Sequence, residues 1–178
     1  MAKLSCKGSL LRSRKAKYGK INYGDVMFFI VILVTFIIDQ ASKAAVQSLM
    51  FQGESIPVAP PFFHLTYIMN PGAAFGLLAY QTPLFITVSV LLAIGVLVVY
   101  RKIPPEKMLI RYGLGFILGG ALGNLADRLR YGRVVDFLDF RVWPVFNLAD
   151  AAIFTGACLL VWELLKDSSW KSEKDSVD

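Results

Sequence analysis

Between Leu65 and Tyr100 the chain runs for 36 residues without a charged side chain. Few folded outcomes accommodate such a run, because about a quarter of the residues in a soluble domain are charged and a helix needs only ~20 apolar residues to cross a bilayer. Gln81-Thr82-Pro83 interrupts it. Thr82 can cap a helix and Pro83 can take its first position, so the spacing predicts a span at about 82–100 with a loop or short helix before it. Further apolar stretches fall at about 26–48, 108–127 and 146–166. Together they predict an all-α polytopic membrane protein with four transmembrane helices. They form one domain, flanked by a basic tail at 1–25 and a polar tail at 167–178 that is expected to be disordered. The composition, 56% hydrophobic and 18% charged, suits lipid as part of the solvent.

The net charge of +6 could suggest nucleic acid, but its placement argues for a membrane anchor and against a nucleic-acid partner. Seven basic residues precede Asp25, without interleaved aromatics. With four spans, the N-tail, the 101–111 loop and the C-tail share one face and hold 14 of the 19 basic residues. The positive-inside rule makes that face cytoplasmic, places both termini there and turns the 51–71 and 127–146 loops outward. Anionic lipid is the expected contact of the basic tail. Residues 51–71 are apolar, β-prone and rich in proline, and predict a short extended segment or small sheet on the outer membrane surface. Cys6 and Cys158 lie too far apart in pattern to imply a disulfide, and the N-terminus lacks the pattern of a cleaved signal peptide.

In the third span Gly115, Gly119 and Gly123 recur every four residues, a stripe that lets another helix approach closely. Asp127 continues the stripe. An aspartate within a span costs roughly 2.5–3.5 kcal/mol on insertion scales, yet alternating helix directions bring Asp39, Asp127, Asp136, Asp139 and Asp150 to one depth near the outer interface. Two carboxylates held close in a low-dielectric site share a proton, so one can act as base while the other acts as acid. Such a pair can deprotonate a water and polarise a peptide carbonyl. Asp139 reads as a solvated loop charge. His64 is the only histidine and has no evident nucleophile to serve, no His/Cys cluster suggests zinc, and no glycine-rich phosphate loop is present. A proton-coupled carrier also buries acids between spans, but at mid-membrane and with internal repeats, which are absent here. A non-enzymatic assembly factor leaves the cost of the acids unexplained.

Five blocks, in order over about 39–162, resemble the lipoprotein signal peptidases (signal peptidase II). They are Asp39-Gln40-Ala41-Ser42-Lys43, Asn70-Pro71-Gly72-Ala73-Ala74-Phe75-Gly76, Gly123-Asn124-Leu125-Ala126-Asp127-Arg128, Gly132-Arg133-Val134-Val135-Asp136-Phe137 and Phe146-Asn147-Leu148-Ala149-Asp150. The resemblance implies an aspartic endopeptidase of the bacterial inner membrane that needs no metal or cofactor. It implies cleavage of diacylglyceryl-modified prolipoproteins just before the lipidated cysteine, inhibition by globomycin, and Asp136 and Asp150 as the catalytic pair. Around them, Asn147 is expected to cap the fourth helix or position a carbonyl, and Asn70 and Gly72 to shape a tight turn near the site. Asn124 shares a helix face with Asp127. Asp127 is expected to pair with Arg128 or a loop donor, unless Arg128 contacts substrate. Asp39 and Lys43, one turn apart, form a structural ion pair or support the dyad. A monomer is expected.

Overall fold

The computed structural model describes residues 23–72 and 78–175, with side chains described up to 166. Among the described residues, four helices are long and apolar enough to cross a membrane: α1 (Tyr23–Leu49), α2 (Thr82–Tyr100), α3 (Met108–Tyr131) and α4 (Leu148–Asp175). At 1.5 Å per residue the shortest of them, the 19-residue α2, spans about 28 Å, close to a bilayer core. The chain is therefore a polytopic α-helical membrane protein with a small antiparallel sheet.

Helix α3 is central and packs against α1, α2 and α4. It is the least hydropathic span and the most buried, because its glycines trade side chain for close backbone approach. The stripe read from the sequence faces α1: a Cβ on Gly119 would lie 2.8 Å from Cβ of Thr35 and 2.9 Å from the Ile32 carbonyl. A second seam, invisible in that spacing, faces α4, where Gly113 opposes Gly156 and Gly120 opposes Ala149 and Ile153. Gly120→Val should therefore wedge α3 from α4 just below the fourth helix's N-terminus. A loss of at least about 1–3 kcal/mol is expected, read as a lowered Tm in detergent, whereas Gly95→Val, with open space around it, should leave the Tm unchanged.

The burial pattern is inverted relative to a soluble protein. Leu91, Ile94, Phe154 and Trp162 are exposed along the helices, where lipid would cover them, while Asp39, Lys43, Asn124, Asp127 and Asn147 are buried. At the far end of the bundle Arg111 donates to Asp25 and Tyr100, lies over the Tyr100 ring, and caps the Ile103 and Pro104 carbonyls. That cluster ties α1, the end of α2 and α3 together.

The sheet has the order β1-β2-β3, with β1 Ser55–Ala59, β2 Phe63–Asn70 and β3 Val134–Asp139, all antiparallel. The 51–71 segment, expected to be a short extended segment or small sheet, forms the antiparallel hairpin of β1 and β2. The third strand comes from the loop after α3, which carried no strand expectation: β3 is buried along nearly its whole length and so shows no polar–apolar alternation. Its pairing sets Ile68 opposite Asp136 and Asn70 opposite Val134, which carries Asp136 to the helix bundle.

Two local expectations are corrected. Thr82 does not cap α2; Gln81 is the N-cap, and the Thr82 hydroxyl instead donates to the Gly132 carbonyl at 2.7 Å, joining α2 to the left-handed turn that ends α3. The segment after 166, expected to be disordered, continues α4 as far as Asp175, since it holds no glycine or proline to stop a helix. Cys158 is an exposed free thiol, and Cys6 lies outside the described residues.

Candidate active site

Asp150 owes its position to the way α4 begins. Asn147 caps the helix: its Oδ1 accepts the Asp150 N–H at 2.9 Å, and the Asp150 carboxylate reaches back to the Asn147 N–H at 3.4 Å. This is a reciprocal capping box with aspartate at its third position. Asn147 therefore caps the helix, the first of the two roles considered for it, and its amide also donates to the Asp136 carboxylate at 2.6 Å. The remaining oxygen of Asp136 accepts from Asn70 at 2.8 Å. The Asn70 amide has one orientation available, since its Oδ1 accepts the Gly72 N–H at 2.9 Å and leaves the NH2 group for Asp136. The turn at Asn70 and Gly72 thus ends at a carboxylate.

Asn124 on α3 completes the ring. Its Nδ2 donates to Asp150 at 2.7 Å, and its Oδ1 accepts from Lys43 at 3.0 Å and from Asn147 at 3.1 Å. Lys43 is itself buried on α1, with its ammonium 2.9 Å from both Asp39 and Asp127. Asp39 accepts the Ala149 N–H at 2.9 Å, so α1 helps to cap α4 from the side. Asp127 accepts the Val135 N–H at 3.2 Å and an amide proton of Gln40 at 3.0 Å. Its ionic partner is Lys43, not Arg128, which corrects one expectation; the backbone donor on the following strand is the other partner foreseen. The Arg128 side chain turns the opposite way, over the Phe85 ring at 4.8 Å.

Asp136, Asp150, Asn70, Gly72, Asn124 and Arg128 line one cavity of ≈ 260 Å³. Asn147 lies beneath its floor, and Asp39, Lys43 and Asp127 form the ionic layer below, so the ten candidate residues converge on one place. Residues 73–77 of the asparagine–glycine block lie outside the described residues. Burial, followed by the neighbouring charge of Asp150, pushes the Asp136 carboxyl up to about 7, against the opposing hydrogen bonds of Asn70 and Asn147.

Asp139 is not the solvated charge expected of it. It is buried at the end of β3 and bonded to Thr66 and Arg141, because strand formation draws it inward. Sequence reasoning also passed over Gln40, which bridges Asp39, Asp127 and the Gly123 carbonyl while accepting from Arg130 at 2.7 Å. Its one available signal was its place beside Asp39 in a span.

A pair of carboxylates, Asp136 buried and Asp150 partly so, each held by asparagine N–H groups and opening on one cavity, is an arrangement for acid–base hydrolysis. Residues 31–166 match the family described as Signal peptidase (SPase) II. The chain belongs to that family. It is 67% identical over 150 residues to the lipoprotein signal peptidase of Pelotomaculum thermopropionicum, covering 84% of this chain and 99% of that one. It is 56% identical over 138 residues to that of Moorella thermoacetica, covering 78% and 92%. Among solved structures, a bacterial membrane enzyme determined by the in meso method at 2.3 Å resolution matches with a TM-score of 0.78 at 31% identity, over 82% of this chain and 91% of that chain.

Proposed function

We propose that the chain removes the signal peptide from diacylglyceryl-modified prolipoproteins, cutting just before the lipidated cysteine, with Asp136 and Asp150 activating the attacking water. One observation carries the mechanism: two carboxylates from different elements, β3 and α4, open on the same cavity, and both accept from Asn147, Asp136 from its side-chain amide and Asp150 from its main-chain N–H. Near neutral pH the pair holds one proton. The ionised member takes a proton from water as its oxygen attacks the scissile carbonyl, and the protonated member gives its proton to the carbonyl oxygen. Collapse of the tetrahedral intermediate breaks the C–N bond, and a proton returned from the pair leaves with the amine. Arg128, held on Phe85 at the cavity rim, is suited to a substrate carbonyl.

The charge asymmetry supports an orientation with both termini in the cytoplasm and the dyad near the outer face of the bacterial cytoplasmic membrane. Globomycin is expected to block the same cavity, and the enzyme is expected to act as a monomer. Purified protein in detergent should cut a diacylglyceryl-modified prolipoprotein before the modified cysteine and be stopped by globomycin. Absence of any product from well-folded protein would refute the reading.

The pH profile offers an independent check. The reaction needs one proton on the pair, and the Asp136 carboxyl is held up to about 7. Turnover should therefore fall as pH rises through about 7 and fall again in acid when both carboxyls are protonated. Stability shares the upper limb: the folded state binds the extra proton, so part of the folding free energy is lost as pH rises from the ordinary aspartate range towards 7. A kcat flat between pH 5 and 9, all else equal, would contradict a shared-proton dyad.

A further inference from the structure

Asp139 plays no part in the chemistry above, yet its buried carboxylate accepts three hydrogen bonds. Thr66 donates to it at 2.8 Å, the Arg141 N–H at 2.8 Å and the Arg141 guanidinium at 3.1 Å. The Thr66 hydroxyl is 2.8 Å from that of Ser55, which is 3.3 Å from Nδ1 of His64. A row of polar groups thus crosses β1 and β2 and ends on Asp139. Burial would raise the Asp139 carboxyl, but the bonds from Thr66 and Arg141 prevail and hold it below its ordinary value. The two bonds from Arg141 close a turn in which Arg141 has φ 64°, a left-handed conformation that side chains other than glycine rarely adopt.

The chain leaves this turn as the 140–146 segment, whose Phe140, Trp143 and Phe146 form one wall of an apolar groove of ≈ 670 Å³. Phe63 and Phe146 pack on Phe140 with ring centroids 5.0 and 5.9 Å away. Trp143, Phe146 and Asp150 line both the groove and the dyad cavity. The geometry of one turn therefore sets the partition between the place where bonds break and the apolar surface beside it.

We propose that Asp139 is a positioning residue for the substrate: its carboxylate fixes the turn at Arg141, and through it the aromatic wall against which the apolar flank of the substrate packs beside the dyad. The proposal rests on the peptidase reading above. Asp139→Ala should raise KM for a diacylglyceryl-modified prolipoprotein about tenfold with kcat within about twofold. Asp139→Asn keeps an acceptor for the Arg141 N–H and should fall between the two. The double variant Asp139→Ala/Arg141→Gly should return KM towards wild type, since glycine adopts the left-handed angle without help. A purely structural defect would not be relieved by removing a second side chain.

A readout independent of cleavage uses Trp143 in a Trp162→Phe/Trp170→Phe background, where it is the sole tryptophan of the three in the chain. Asp139→Ala should shift its emission, and Arg141→Gly in addition should move it back. Unaltered KM and unaltered emission in Asp139→Ala, with wild type active, would overturn the proposal alone. A fall in kcat at constant KM would overturn it too. Absence of cleavage by wild type would remove the peptidase reading first, and the proposal with it.

Discussion

Asp150→Asn will abolish prolipoprotein cleavage, by about 10³–10⁴ in kcat, while leaving the fold intact. The side chain keeps its volume, and its carbonyl oxygen can still accept from Asn124, the shorter of the two bonds to Asp150. The one mismatch is at the Asn147 N–H, where the existing contact is only 3.4 Å. Asp136→Asn should be equally inactive but less innocent. Both Asp136 oxygens accept short bonds from amide NH2 groups of Asn70 and Asn147, so an asparagine there must point one NH2 group at another. Asp150→Asn is thus the cleaner test of chemistry, with a Tm within a few degrees of wild type, and Asp136→Asn should melt lower. Normal turnover by folded Asp150→Asn would remove that aspartate from the mechanism.

That contrast reflects what the sequence could and could not show. The spans were legible because lipid imposes runs of apolar residues, and the polar residues of the site were legible because a membrane makes them costly enough to stand out. Asp39, Lys43, Asn124 and Asp127 sit at helical spacings that put them on facing surfaces. Hydrogen-bond direction was beyond reach: the amides of Asn70, Asn124 and Asn147 are oriented by partners on other elements, which spacing does not encode. The same limit explains the failed pairing of Asp127 with Arg128. Neighbours in sequence on a helix point about 100° apart, and Lys43 from another helix reaches Asp127 where Arg128 cannot. Strand β3 carries no sequence signal of its own because burial on both faces erases its period, and the burial of Asp139 is hidden with it. The second glycine seam escaped notice since Gly113 and Gly120 are seven apart and find Gly156 and Ala149 only once α4 is in place.

Lys43→Met should be the most destabilising substitution in the site. The ammonium is almost wholly buried and spends all three protons on Asp39, Asp127 and Asn124. Removing it leaves two carboxylates in the bundle without their cation, which costs roughly 3–5 kcal/mol for a buried pair out of a stability on the order of 5–15 kcal/mol. Low yield and a Tm lowered by many degrees in detergent are the expected result, and a Tm like wild type would show that the cluster is solvated after all. Adding Asp127→Asn should recover part of the loss by removing one orphaned charge. Activity should not recover in full with it, because Lys43 is one of the two donors, with the Asn147 amide, that commit the Asn124 carbonyl to one side and so present its NH2 group to Asp150. Without the ammonium, the Asn147 amide alone holds the Asn124 carbonyl, and the NH2 group meets Asp150 from a looser ring. In the double variant kcat per folded molecule should therefore remain depressed while stability improves, a split that separates the cation's two tasks: balancing charge inside the bundle and fixing the polarity of the ring around the dyad.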